Sequence, residues 1–320
     1  MTKLSIIIPV FNAEKYLNRC VNSVLNAIKV ANHSAESTKS SDDFEILVVD
    51  NNSTDNSLSV LTEFAKEHPG VISILQCHTP GAAAARNYGT KRAKGEYIWY
   101  IDADDQIDKS SIELLLDKAQ EADADLVMMG AERIYPDGRK SILLPVSSAE
   151  YKYKSRFVRY GMGPWQVIIR RKWWNKHGFK FKEGFIHEDM ELMSALILYT
   201  DKLASVDKPL YFYYQNDNSV LHKKEFDPHI FDIFPVLESL YQRFVDAGAE
   251  KEYHDELEWF FIWNLLIDSA NDFRRFPEGK SGFAHSREML KKYFPGWRKN
   301  RFLRQKPLKL QILTKSNYYR

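Results

Sequence analysis

Trp99-Tyr100-Ile101-Asp102-Ala103-Asp104-Asp105 runs an apolar stretch straight into three carboxylates. Its aromatic and β-branched residues suit a strand. The acidic residues crowd like charges into one small volume at the strand's end, and such charges repel unless a cation sits between them. Oxygen-only ligands in a tight cluster suit Mg²⁺ or Mn²⁺, which bind through one or two carboxylates together with the phosphates of a substrate. The run therefore points to a metal and diphosphate site. It also reads as an acidic turn capping a helix that starts near Ser110, since Asp is a good turn and N-cap residue.

Upstream, short apolar runs alternate with helical patterns. Leu4 to Val10 precedes a helix-like stretch from Ala13 to about Lys29, in which Tyr16, Leu17, Cys20, Val24 and Leu25 recur at helical spacing. Residues 44–49 form a second strand, followed by a helix marked by Leu58, Leu61, Phe64 and Ala65. Residues 71–75 and 97–101 read as further strands, with a helix over 82–93 between them. This alternation predicts an α/β chain with a mostly parallel, Rossmann-like sheet flanked by helices. In open parallel sheets ligands sit beyond the carboxyl ends of the strands. Residues 9–12, 50–52 and 102–105 then become neighbours, and helix capping alone does not bring polar residues from three strands to one edge.

Downstream the pattern changes. Arg133 to Lys140 predicts a hairpin around Pro136-Asp137-Gly138, and 161–165 a turn leading into the apolar Val167-Ile168-Ile169. Glu188 to Leu198 predicts an amphipathic helix, and from Asp227 onward the chain reads as mostly helical. The apolar stretch Trp259 to Ile267 is far too short to span a bilayer, which takes about 20 residues, so it is expected on the core or on a dimer face. The Ser-rich segment 33–43 reads as a surface loop. These features divide the chain into an α/β domain over 1–222 and a helical region over 223–320.

The chain has 320 residues, 44% hydrophobic and 28% charged, the makeup of a soluble globular protein. Cys20 and Cys77 offer neither a disulfide framework nor a zinc site, which suits a reducing, cytoplasmic compartment. The N-terminal run is too short for a membrane span and lacks the marks of a signal peptide. Net charge is only +2, yet from Trp297 onward Arg298, Lys299, Arg301, Arg304, Lys306, Lys309, Lys315 and Arg320 stand without an acidic residue. This tail suits an anionic partner: the inner face of the cell membrane, with Trp297, Phe302, Leu303 and Leu308 adding apolar contact. A solvated, partly disordered tail explains it equally, and nucleic acid is a third, less favoured partner.

Five motifs stand in a telling order: Ile6-Ile7-Ile8-Pro9-Val10-Phe11-Asn12, Ile46-Leu47-Val48-Val49-Asp50-Asn51-Asn52-Ser53-Thr54-Asp55, Gly81-Ala82-Ala83-Ala84-Ala85-Arg86-Asn87-Tyr88-Gly89, Asp102-Ala103-Asp104-Asp105 and Glu188-Asp189. In this order the chain, over roughly residues 3 to 222, resembles family 2 glycosyltransferases of the GT-A fold. It is most similar to bacterial enzymes that build capsule, lipopolysaccharide or teichoic acid glycans. The resemblance implies a nucleotide-diphosphate sugar donor, most often UDP-linked, a saccharide or lipid-linked acceptor, and Mn²⁺ or Mg²⁺ as cofactor.

Roles follow residue by residue from that resemblance. Asp50 would accept the N3–H of uracil, with Pro9, Phe11 and Glu14 shaping the wall around base and ribose. Arg86 would lie over base or diphosphate. Asp102 would hold ribose or metal, and Asp104 would ligate the ion between the phosphates. Asp189 would be the base that takes the acceptor's proton, with inversion at the anomeric carbon. Glu188 beside it shares a helix start that favours ionised acids. Trp165 stands where relatives place an acceptor-site aromatic, though core packing explains it too. The loop from Tyr214 to His222, with Ser219, matches a loop that closes on the diphosphate. It lacks the arginine many relatives carry near Gln215, so Lys223, Lys224 or His222 would replace that charge. The missing arginine also leaves open a non-catalytic glycan-binding or scaffold protein on the same fold. Nucleotidylyltransferases and dehydrogenases would need a glycine-rich loop where Pro9-Val10-Phe11-Asn12 stands.

Overall fold

A computed structural model of the protein describes residues 2–33, 43–143, 153–215 and 225–319. Residues 34–42 of the expected surface loop, and Ser219, His222, Lys223 and Lys224, lie outside the described residues. The chain groups into two compact units. One comprises Met1–Glu150, Gly163–Gly184 and Thr200–Asp217, the other Tyr151–Met162, Phe185–Tyr199 and Asn218–Arg320. The second unit thus draws on two short upstream segments as well as the C-terminal helices.

The first unit is built on one nine-stranded sheet. Its strands are β1 Leu4–Val10, β2 Phe44–Asp50, β3 Ile72–Gln76, β4 Tyr97–Tyr100, β5 Gln106–Ile107, β6 Leu126–Ile134, β7 Lys140–Leu143, β8 Val167–Arg170 and β9 Leu203–Tyr214. They are ordered β3-β2-β1-β4-β8-β6-β9-β5, with β7 also paired to β6. The pairs β1–β2, β2–β3 and β1–β4 are parallel. Beyond β4 the sheet becomes mixed: β8 runs antiparallel to β4 and β6, while β9 runs parallel to β6. The hairpin expected around Pro136-Asp137-Gly138 is the antiparallel β6–β7 pair.

Helices cover both faces of the central parallel strands, so β1, β2 and β4 are buried and apolar along most of their length, whereas the outer β3 exposes Ser73 and Gln76. The first unit contributes α1 Glu14–His33, α2 Ser57–Glu67, α3 Ala82–Thr90, α4 Ser111–Glu121 and α6 Arg171–His177; α5, Tyr153–Tyr160, belongs to the other unit. Leu4, Ile6 and Ile8 share a buried cluster with Leu17, Cys20, Val21 and Val24 of α1. Burying each such aliphatic side chain contributes roughly 1.5–3 kcal/mol. On the opposite face α3 comes very close: a Cβ at Gly89 would sit 2.6 Å from Ile7 Cγ2. Glycine there admits the helix, and with it Arg86, to the strand ends.

The second unit holds α7 Glu188–Met193, α8 Ile233–Asp246, α9 His254–Trp263, α10 Ser269–Arg275, α11 Ser281–Tyr293, α12 Arg301–Arg304 and α13 Leu308–Tyr318. The helix expected over 188–198 stops at Met193. Three-residue-back hydrogen bonds such as Ala195 N–H to Leu192 O and Leu198 N–H to Ala195 O replace the α pattern beyond it. Between α9 and α10, Asn264–Asp268 forms a π-helical turn. A π turn displaces carbonyls from the regular ladder, and two side chains meet them: Asn317 Nδ2 donates to Leu266 O at 2.8 Å and Ser286 Oγ to Leu265 O at 3.4 Å. Trp259, Phe260 and Phe261 are buried in this unit's own core. Trp297, Phe302 and Leu303 are buried as well, so they are not the membrane contacts expected of the tail. Asn300 accounts for this local fold, capping α12 by accepting from Phe302 N–H and Leu303 N–H while donating to the buried Glu258 Oε2. Among the described residues, no helix is long and apolar enough to cross a membrane.

Candidate active site

The register of the parallel strands decides which residues meet at their carboxyl edge. Val10 pairs with Asp50, and Ile7 with Tyr100, so the turn beginning at Asp102 opens at the level where β1 and β2 end. Hydrogen bonds between loops then lock this edge. Asn12 N–H donates to Ser53 Oγ, Thr54 N–H to Asn12 Oδ1, Ala13 N–H to Ser57 Oγ and Glu14 N–H to Asp55 Oδ2. Asn51, also buried, donates to Cys77 O (2.8 Å) and Thr79 O (2.7 Å) and accepts from Gly81 N–H (2.7 Å). Gly81 needs to be glycine, for its φ is +110° just ahead of α3. Asn12 and Asn52 also take positive φ, a backbone conformation that asparagine tolerates better than most residues.

Asp50 is buried at this edge, and its Oδ1 has no hydrogen-bond partner among the described residues. A buried acceptor without a donor costs on the order of 1–3 kcal/mol, so the position invites a ligand N–H. One residue past Asp50's register partner, Phe11 is 61% exposed, an unusual setting for a phenyl ring at a strand end. Pro9 is half-buried in β1. Glu14 opens α1, and its Oε2 accepts from Asn56 N–H. In this structure Glu14 therefore ties the start of α2 to α1.

The acidic run divides its labour. Asp105 N–H donates to Asp102 O, and this tight turn sends the third carboxylate inward, away from the strand edge. Fully buried, Asp105 accepts from Tyr211 Oη at 2.7 Å and from Tyr214 N–H at 2.8 Å. Burial, then the charges of Asp104 and Asp102, push its carboxyl up to about 9. Asp105 thus anchors β9 and is not the third member of a cation cluster. Tyr211 links the two roles, since its oxygen also accepts from Asp102 N–H at 3.1 Å. Asp102 Oδ1 pairs with Arg86 Nη2 at 3.0 Å, and the Arg86 guanidinium lies 5.5 Å over the Phe181 ring. Asn87 fixes that ring's backbone by bonding both Phe181 O and Phe181 N–H. Asp104 is partly exposed, its carbonyl held by Arg19 Nη2, whose guanidinium lies 3.6 Å over Tyr214. Cys20 packs beneath the turn with Sγ 3.6 Å from Asp102 O, and burial pushes its thiol pKa up.

The structure therefore brings Asp50, Phe11, Arg86, Asp102 and Asp104 to one edge. Trp165 lies in a single 3-10 turn, Pro164–Gln166, stacked on Tyr211 at 4.5 Å and on Tyr213 at 5.6 Å. Its ring builds the wall behind the acidic turn. Glu188 and Asp189 open α7 in the second unit, where the buried Glu191 bonds Arg243 and Ser239 and so fastens α7 to α8. Arg19 and Tyr211 are supporting residues that motif reading passes over, and Asn51 and Tyr214, which stand within the quoted motif and at the head of the expected loop, were given no such role there. Asn51 carried a signal, an amide directly after a strand-end aspartate; the tyrosines carried none, because their strand was not foreseen.

This edge, on this sheet, belongs to the nucleotide-sugar transferase architecture known as GT-A. The fold matches the crystal structure of Staphylococcus aureus TarS 1-349 in complex with UDP-GlcNAc, with a TM-score of 0.76 at 19% identity over 99% of this chain and 89% of that one. By sequence, the chain belongs to glycosyl transferase family 2, whose profile matches residues 5–179. It is 26% identical over 276 residues to the uncharacterized glycosyltransferase YibD of Escherichia coli K12, covering 80% of this chain and 76% of the relative. It is 34% identical over 167 residues to the poly(ribitol-phosphate) beta-glucosyltransferase of Bacillus spizizenii, covering 52% of this chain and 25% of that protein.

Proposed function

We propose that the protein transfers a sugar from a UDP-linked donor to a saccharide or lipid-linked acceptor in cell-surface polysaccharide synthesis, with inversion and with Mn²⁺ or Mg²⁺ as cofactor. The observation that carries this reading is Asp50 Oδ1, a buried acceptor without a donor among the described residues, at the edge where Phe11 stands exposed. Uracil offers an N–H to such an oxygen and a flat face to such a ring. Arg86 supplies a fixed positive charge for the diphosphate, held in place by Asp102 and Phe181. The donor set suits a hard divalent ion: Asp102 and Asp104 would offer it carboxylate oxygens from one partly exposed turn. Bound by them, the ion would offset charge on the departing diphosphate.

In the reaction the acceptor oxygen bonds to the anomeric carbon as the bond to the diphosphate breaks. The acceptor's proton passes to Asp189. Asp189 stands beside Glu188 in the first turn of α7. Relatives that act on poly(ribitol phosphate) support a cell-surface polymer as acceptor. Two buried free thiols suit a cytoplasmic setting.

Turnover of UDP-sugars with Mn²⁺ tests the reading, with the product's anomeric configuration read by NMR. Asp189→Ala should lower turnover about a hundredfold or more and leave UDP affinity intact, whereas Asp50→Asn should weaken UDP binding. Unchanged turnover in Asp189→Ala would remove the base assignment. Glycan uptake indifferent to UDP and metal would replace the enzyme with a binding module.

A further inference from the structure

The helix α13 is built inside out. Its inward residues include Thr314 and Asn317, both 0% exposed, while Leu308 is 70% and Ile312 58% exposed. A surface helix ordinarily does the reverse. The inward polar groups are satisfied: Thr314 Oγ1 donates to Leu310 O, and Asn317 binds Leu266 O and Arg274 Nη1. The helix is therefore docked in this orientation, and its outward face is fixed. Leu308, Ile312, Lys315 and Tyr319 follow one another at spacings of four, three and four, which places them on one stripe. Leu313 and Lys309, both exposed, lie alongside it.

We propose that this outward face of α13 seats the protein on an anionic lipid surface, with Leu308 and Ile312 entering the boundary of the acyl region and Lys309 and Lys315 meeting headgroup phosphates. Charge selects this occupant. From Trp297 onward the sequence carries no acidic residue, and the exposed Lys299 and Arg304 add to the same sign. A second copy of the chain would bring like charges together, and water would leave the aliphatic stripe uncovered. An anionic membrane answers both features, because interfacial helices combine apolar burial with electrostatic attraction.

Co-sedimentation of the full chain with vesicles tests this, comparing phosphatidylcholine alone with a mixture containing about one-third phosphatidylglycerol. The protein should partition onto the anionic vesicles and release as salt rises. Each lysine near the surface is worth about fivefold, so Lys309→Ala with Lys315→Ala should lower partitioning about thirtyfold. Leu308→Ser with Ile312→Ser should lower it at least about tenfold. All four side chains are exposed, so the circular dichroism of both variants should match wild type. Equal binding to both vesicle types overturns the proposal. Loss with the lysine changes but not with the serine changes also overturns it, by marking a general polyanion surface. So does light scattering that shows a dimer dissolved by the serine changes while vesicle binding stays.

Discussion

Replacing Tyr211 by phenylalanine removes one oxygen from the centre of the site and leaves everything else in place. The ring keeps its stacking on Trp165 at 4.5 Å, so no cavity opens and the effect isolates the hydroxyl. That hydroxyl serves two partners, accepting from Asp102 N–H and donating to the fully buried Asp105 carboxyl. A buried group left unpaired costs roughly 1–3 kcal/mol. Asp105 keeps Tyr214 N–H, and the turn around Asp102 is only partly buried, so the sum falls at about 2–4 kcal/mol. Paired urea unfolding curves of wild type and variant, followed by tryptophan fluorescence, measure this directly. UDP titration should show weaker binding as well, since Asp102 loses the bond that fixes its backbone. A stability change under about 0.5 kcal/mol, the size of an ordinary surface substitution, would refute the claim that Tyr211 joins β9 to the acidic turn.

Asn51→Ala removes three hydrogen bonds that knit the loops after β2 and β3, and should cost about 2–4 kcal/mol in urea unfolding, with UDP affinity falling in parallel. Gly95→Ala would place a methyl group 2.4 Å from Ser5 N, where the backbone of β1 cannot retreat; a loss of soluble expression or of about 3 kcal/mol or more is expected, and a wild-type melting curve would contradict it. Asn317→Ala should leave donor binding untouched but destabilise by about 1–2 kcal/mol, with faster hydrogen exchange confined to α13 and the π turn.

The strands that end at the site were legible because each is a mostly apolar run stopped by asparagine or aspartate, the pattern of a strand buried on both faces. β9 was not legible. Asp207-Lys208-Pro209 interrupts its sequence in the manner of a turn, yet the structure absorbs Asp207 and Lys208 as a bulge: Val206 pairs with Met129 and Pro209 with Gly130. Missing β9 hid Tyr211 and Tyr214, and with them the inward role of Asp105. Three neighbouring aspartates look alike in a sequence; the hydrogen bond from Asp105 N–H back to Asp102 O sorts them. Trp297 and Phe302 misled for a related reason, since an aromatic among basic residues looks interfacial until Asn300 and Glu258 fold it inward.

The π turn over Asn264–Asp268 amounts to one surplus residue threaded into an otherwise continuous rod. Excising a single residue there would restore an unbroken α-helix and, because the wider turn already absorbs the surplus, would leave the side chains beyond it close to their present faces. Phe273 would stay interior, but Leu266 would take its carbonyl back into the ladder, leaving Asn317 only Arg274 as a partner. A tidier helix would thus loosen its hold on α13 by one hydrogen bond, so the irregular turn is the handle by which the last helix is held.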